Sequence, residues 1–367
     1  MEILLIGTRF RDGGVEQNVN RLTSAFLDKG LSCCYLLGEE PSKVGLQRIP
    51  DGVSLKVTSA ARRDFFKEFK NQVIEDPPDA VIVFRSTDYA RSIKAVSGRV
   101  PVILLSGAFT SEFLARKSIR SLRLAFRVWR WWAKADAVLA ISPDIKKDWC
   151  ALKGFPSEKV HEVHPPVVGP DLESASKVAT GSQWVDDGVY SIVLGVGRLV
   201  KGKRFDLLIQ AFGRLDNRND VRLVILGEGP DEGRLKAIAE DEGLTDKVLF
   251  AGYTVNPYSW MSRSRVLVLP SERETFGFVL IEALYLGTPW ISVPEPKGPK
   301  TVLSETGKGR ISEEATSESL AVAIEGELKS DRASDKNKKS VLAYEAASSA
   351  DEHLKVIRDI IAKRANP

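Results

Sequence analysis

From Glu2 to Ser142 the chain alternates short apolar runs with longer amphipathic stretches, and after a break the alternation starts again. EILLIG (2–7), LSCCYLLG (31–38), AVIVF (80–84), VPVILLS (100–106) and AVLAIS (137–142) read as buried strands, with Gly13 and Gly14 as a turn and 15–29 as a helix. HPPVVGPDLESASKVATGSQ (164–183), rich in Pro, Gly and Ser, interrupts the pattern. Beyond it SIVLGVG (191–197), RLVILGEGP (222–230), KVLFAGY (247–253), RVLVLPS (265–271) and PWISV (289–293) read as strands, with helices over 205–215, 231–243 and 277–287. The residues around EHLKVIRDIIAK form a charged amphipathic helix pattern at the end.

Strands separated by helical stretches make parallel sheets covered on both faces. The expectation is α/β: two Rossmann-like, doubly wound domains at 1–165 and 186–345, a linker at 166–185, and a C-terminal amphipathic helix at 346–367. In such sheets ligands bind outside the carboxyl ends of the strands, which predicts a central cleft faced by both domains.

Composition narrows the function. With 43% hydrophobic and 28% charged residues the chain is globular, and its net charge is +4. That positive charge is local: RKSIRSLRLAFRVWRWWAK (116–134) holds seven Arg and Lys, no acid and three Trp. The remaining 46 basic residues stand against 49 acidic ones, which argues against a protein that coats nucleic acid. Cys33, Cys34 and Cys150 have no metal spacing, and an odd count without a framework fits a reducing compartment. No signal peptide and no membrane-spanning run are apparent, so the expectation is a cytoplasmic protein with at most peripheral contact with the inner face of a membrane.

Three stretches carry chemistry. In PSERETFGFVLIEALYLGTP (270–289) a strand ends, a polar loop carries Glu274, and a helix begins near Gly277 and carries Glu282. The amides of Phe276, Gly277 and Phe278 then lie at a helix N-terminus, where the dipole favours an anion. A carboxylate one and a half turns on suits the vicinal hydroxyls of a ribose. In LGVGRLVKGKRFDLLIQAF (194–212) Arg198 and Lys203 follow a strand, placed to neutralise a diphosphate. In GTRFRDGGVEQNVNRL (7–22) Gly13 and Gly14 open a helix and permit close backbone approach to a phosphate or sugar.

Together with ADAVLAISPDIKKD (135–148), LVILGEGP (223–230) and VLFAGY (248–253), these stretches resemble the retaining nucleotide-sugar glycosyltransferases of the GT-B fold, glycosyltransferase family 4. The resemblance covers most of the chain, is closest from about 190 to 293, and centres on the Glu-x7-Glu pair Glu274 and Glu282. It implies that Arg198 and Lys203 bind the donor diphosphate and that Glu274 lies against the donor sugar. The amides of 276–278 hold sugar hydroxyls and phosphate, Glu282 holds the ribose, and Gly13 and Gly14 face the diphosphate. The donor is a UDP- or GDP-sugar, a co-substrate rather than a cofactor. The acceptor is a glycan or a lipid-linked molecule of the cell envelope, and no metal is needed; the sequence has no Asp-x-Asp pair.

One departure stands out. The family has a histidine after an N-domain strand, whereas here Ser106 and Gly107 follow PVILL, and His161, His164 and His353 lie elsewhere. Ser106 and Arg85 are the candidates to take its place. Thr275 and Arg204 stand where the family often has Gly. The missing histidine motivates an alternative reading, a catalytically silent nucleotide-sugar-binding partner subunit.

The basic segment has two readings. As a helix it puts Arg120, Arg123, Arg127 and Arg130 on one narrow strip bordered by Trp, either a plain solvent face or a docking strip for an anionic membrane or phosphate-bearing lipid acceptor. Solvated faces usually mix signs, which favours docking. The protein should therefore cosediment with vesicles containing anionic lipid and lose that binding as salt rises. Equal, weak binding to neutral and anionic vesicles would contradict the docking reading.

Overall fold

The computed structural model describes residues 1–10, 13–58, 62–96, 98–111, 130–216, 219–330 and 338–365. The chain forms two compact units, Met1–Val167 with Ala343–Pro367, and Val168–Leu342.

The first unit runs β1 (Glu2–Gly7), α1 (Gly14–Asp28), β2 (Ser32–Leu37), α2 (Lys43–Arg48), β3 (Ser54–Val57), α3 (Arg62–Glu75), β4 (Ala80–Val83), α4 (Tyr89–Val96), β5 (Val102–Ser106), β6 (Ala137–Ala140), α5 (Pro143–Cys150) and β7 (Val160–Glu162). The sheet order is β3-β2-β1-β4-β5-β6-β7, with parallel pairing throughout. The central strands are apolar on both faces because helices cover both; Ala80 to Val83 are all fully buried. At α5, Ser142 caps the N-terminus by accepting from the Ile145 amide at 3.2 Å, and Pro143 takes the first turn, where its missing N–H costs nothing.

The second unit runs α6 (Asp171–Ser176), α7 (Gln183–Asp186), β8 (Ser191–Val196), α8 (Phe205–Gly213), β9 (Val221–Leu226), α9 (Glu232–Asp241), β10 (Val248–Gly252), α10 (Tyr258–Arg263), β11 (Val266–Leu269), α11 (Phe278–Tyr285), β12 (Trp290–Ser292), α12 (Lys297–Thr306), β13 (Arg310–Ile311) and α13 (Ser317–Lys329). Its sheet, β10-β9-β8-β11-β12-β13, is also parallel. Each sheet thus reverses its winding at one point, between β1 and β4 in the first and between β8 and β11 in the second. Strands β3, β7 and β13 were not among those read from the sequence: they are short edge or near-edge pieces, without a long apolar run. The stretch 166–185, read as a linker, folds into α6 and α7. Its carbonyls at Ala175 and Ser176 accept hydrogen bonds from Asn256, Ser262 and Arg263 of the α10 region.

The last helix, α14 (Ala346–Ala365), belongs to the first unit. Its Ala346, Ala350, Leu354 and Ile357 share a core with Val19, Leu22 and Phe26 of α1. Glu352 accepts from the His164 backbone amide at 2.8 Å and faces its Nδ1 at 2.9 Å, and the Ser349 hydroxyl donates to the His164 carbonyl at 2.6 Å.

His353 is fully buried in that junction. Its Nδ1–H meets the Ser349 carbonyl at 2.8 Å, and its Nε2 has no hydrogen-bond partner. Burial, with no group to receive a second proton, pushes its pKa down from 6.5 to about 4. The native imidazole therefore binds fewer protons than the unfolded one. Its contribution is complete above about pH 6.5 and is lost as pH falls toward 4, by about 3 kcal/mol at most. In urea unfolding at pH 7.5 and 4.5, His353→Leu should shrink the wild-type difference between the two pH values; an unchanged difference would contradict this assignment.

Candidate active site

In the second sheet the loops after β8 and β9 lie backbone against backbone. A Cβ on Gly227 (φ +134°) would stand 1.9 Å from the Gly197 carbonyl oxygen, and one on Gly229 2.2 Å from that of Leu199. The Leu199 amide donates to Glu228 O at 2.9 Å, and the Asp231 amide to Leu199 O at 3.0 Å. Arg234 braces this junction with two bonds to Asp231, at 2.7 and 2.8 Å, and a third to Asp206 at the start of α8, at 3.0 Å. The hydrogen bonds from Arg234, set against a partial desolvation, hold the Asp231 carboxyl below its usual range. This brace escaped sequence reading; the Asp-x-x-Arg spacing across the first turn of α9 was its only signal.

The loop so fixed carries the two expected cations. Arg198 is exposed. The stem of Lys203 lies along Gly197, where a Cβ would be 3.6 Å from Lys203 Cε, and its Nζ donates to Glu274 Oε2 at 2.5 Å. These residues are 71 apart in sequence and meet because β8 and β11 are neighbours at the reversal of the sheet. The Glu272 amide donates to Gly202 O at 3.0 Å and the Gly298 amide to Glu274 O at 3.1 Å, so the loops are joined on both sides of the pair. Gly277, at φ +89°, caps α11, and a Cβ there would be 3.5 Å from Glu274 Cγ, so the carboxylate stands beside the helix N-terminus. Phe276 is buried, with its ring 5.5 Å from that of Phe278. Glu282, 8% exposed, accepts from the Tyr258 hydroxyl at 3.1 Å, a partner not foreseen.

The first sheet has a matching arrangement. Gly13 caps α1, and its Cα faces the Glu16 carboxylate, 2.9 Å from a built Cβ. Arg85, after β4, donates from Nη1 to Glu16 Oε1 at 2.8 Å, so an ion pair again spans the reversal, here between β1 and β4. Beneath it, the fully buried Asp88 accepts from the Thr8 amide at 2.8 Å and from its hydroxyl at 2.9 Å, tying the two loops together. Of the two candidates for the histidine's place, Arg85 stands at the reversal itself, and Ser106 ends β5, one strand further on. Ser106 is 1% exposed, and its hydroxyl accepts from Trp149 Nε1 at 2.8 Å and donates to Ala108 O at 3.3 Å. Arg130 is exposed, while Arg120, Arg123 and Arg127 lie outside the described residues. Among the described residues no cluster of three or more His, Cys, Asp or Glu could hold a metal ion, and no helix is long and apolar enough to cross a membrane.

Two doubly wound parallel sheets with this edge define the GT-B class of fold. Residues 183–345 match the family described as glycosyl transferases group 1, and the relatives below carry glycosyltransferase names. The chain is similar to N-acetylgalactosamine-N,N'-diacetylbacillosaminyl-diphospho-undecaprenol 4-alpha-N-acetylgalactosaminyltransferase of Campylobacter jejuni, 29% identical over 68% of this chain and 66% of that protein. It is also similar to the lipopolysaccharide core biosynthesis glycosyltransferase LpsD of Rhizobium meliloti, 32% identical over 36% of this chain and 38% of that one. The matches thus span about two thirds and about two fifths of those relatives' lengths. In fold it resembles Anabaena Alr3699/HepE, solved with UDP and glucose, with a TM-score of 0.73, 17% identity and complete coverage of both chains.

Arg204, between Lys203 and α8, is left-handed at φ 52°, ψ 41°, and is the one non-glycine with positive φ among the described residues. The position that the resemblance gives to glycine is therefore a glycine conformation held by an arginine, at a cost of about 1 kcal/mol. Its guanidinium recovers part of that through Ala315 O at 3.1 Å and Glu295 at 3.7 Å. Thermal unfolding should rank Arg204→Gly at or above wild type and Arg204→Ala below it, because Ala keeps the strain and loses the contacts. Arg204→Ala above Arg204→Gly would contradict the strain.

Proposed function

We propose that the protein is a retaining glycosyltransferase that moves a sugar from a UDP- or GDP-linked donor to an acceptor hydroxyl in cell-envelope polysaccharide, lipopolysaccharide or glycolipid synthesis. The observation that carries this reading is the meeting of Lys203 and Glu274 at the reversal of the second sheet, beside the N-terminus of α11. A cation and a helix N-terminus at one edge suit a diphosphate, and a carboxylate between them suits sugar hydroxyls.

In this reading Arg198 and Lys203 hold the diphosphate and meet the negative charge that grows on its terminal oxygen as the sugar bond breaks. Cations fixed before the reaction need no reorganisation at that moment, which is where their catalytic value lies. The leaving phosphate oxygen takes the proton of the acceptor hydroxyl on the face it has just left, and the new bond forms on that face with retention. Glu274 orients the sugar. Glu282, steadied by Tyr258, binds the ribose, and Arg85 supplies positive charge where the resemblance has its histidine. Gly13 and Gly14 keep the role the resemblance gives them, facing the diphosphate. The acceptor is glycan or lipid-linked, as the names of the two bacterial relatives suggest, and the basic segment 116–134 docks the enzyme at an anionic membrane surface.

The test is nucleoside diphosphate release from a panel of UDP- and GDP-sugars with lipid-linked and glycan acceptors. Lys203→Ala and Arg198→Ala should each lower kcat roughly 10²- to 10³-fold, the cost of one group that stabilises developing charge. A saturating donor, at 100 times its Kd, should stabilise the protein by about 2.7 kcal/mol. No thermal shift with any UDP- or GDP-sugar would overturn the reading.

A further inference from the structure

We propose that Glu274 makes this site discriminate against the bare nucleoside diphosphate, by claiming Lys203 whenever no sugar is present to engage it. The inference rests on the donor-site reading above and adds a second role for the same carboxylate.

Surface ion pairs between long side chains are commonly incidental. This one is not built that way. Lys203 and Glu274 are only 23% and 20% exposed, and the contact is 2.5 Å. Each stem lies over a glycine, Lys203 over Gly197 and Glu274 over Gly277. The two loops are joined by the Glu272–Gly202 bond, and Glu274's own carbonyl is held by Gly298. With the backbone fixed, the pair opens and closes by side-chain rotation alone. In the closed state a carboxylate oxygen occupies the place on the Lys203 ammonium that a phosphate oxygen would need.

Any diphosphate must therefore displace or share with Glu274, and what replaces the lost contact decides the cost. A donor brings sugar hydroxyls, which donate to the released carboxylate. A nucleoside diphosphate brings none, and its terminal phosphate carries more negative charge near pH 7 than the diester-linked phosphate of the donor. The freed Glu274 is then half-buried, unpaired and beside an extra negative charge. The penalty falls on the product and not on the donor. Once the sugar has been transferred, Glu274 returns to Lys203 and helps expel the nucleotide.

The test is calorimetric titration of the full chain, as wild type, Glu274→Gln and Glu274→Ala, with UDP, GDP, UDP-glucose and GDP-mannose. Both variants should bind the nucleoside diphosphate roughly 3- to 10-fold more tightly than wild type, the scale of one partly screened ion pair. Neither variant should gain affinity for the sugar-bearing nucleotide. The gain should shrink in high salt and vanish when Lys203→Met is added to the variant, which a purely structural role for Glu274 would not produce. Thermal melts establish that each variant is folded, and either one suffices for the comparison. If wild type binds UDP or GDP and the folded variants bind it no better, this inference fails and the donor-site reading stands. If no form binds any of the four nucleotides, the donor-site reading fails and takes this inference with it.

Discussion

At the carboxyl edge of the second sheet the backbone of 197–199 rests on the backbone of 227–231, at distances that leave no room for a side chain on Gly227 or Gly229. The position of Lys203 depends on this contact. The loop after β8 is pressed against the loop after β9, Arg234 binds the far end of that loop to the start of α8, and the cation is left with a short, defined reach. The same edge brings up Glu274 from the next strand over. A cationic site on a free loop would pay rotamer and backbone entropy for each ligand bound; here that cost is met during folding.

Both sheets place an ion pair across the point where their winding reverses, with opposite polarity of placement. In the first the acid, Glu16, follows the inner strand β1 and the base, Arg85, follows β4. In the second the base, Lys203, follows β8 and the acid, Glu274, follows β11. A reversal point leaves a gap between loops that diverge to opposite faces, and the gap admits either a ligand or a pair of side chains that satisfy one another. Charged groups so placed are held ready without being left unpaired.

The alternation of apolar runs and amphipathic stretches was enough to read the two sheets and their parallel sense, because strands buried on both faces announce themselves as continuous apolar runs. Edge strands did not: β3 and β13 are short and partly exposed, so they lack that signature. The long-range contacts were silent for a different reason. Nothing in the sequence near Glu274 refers to Lys203, nor near α14 to α1, since each pairing is set by topology and not by local pattern. At Arg204 only the departure from the glycine of the resemblance was legible; its left-handed backbone required the structure. The commitment of Ser106 to Trp149, and of Arg85 to Glu16, required the packed structure.

Lys203 and Glu274 are the proposed seat of the donor's diphosphate and sugar. A crystal structure of the chain with a bound UDP- or GDP-sugar examines that most directly. In it the ion pair should be open, with a phosphate oxygen on Lys203 Nζ, a sugar hydroxyl on Glu274 and the ribose at Glu282. A nucleotide bound elsewhere, with the Lys203–Glu274 contact still closed, would contradict that seat.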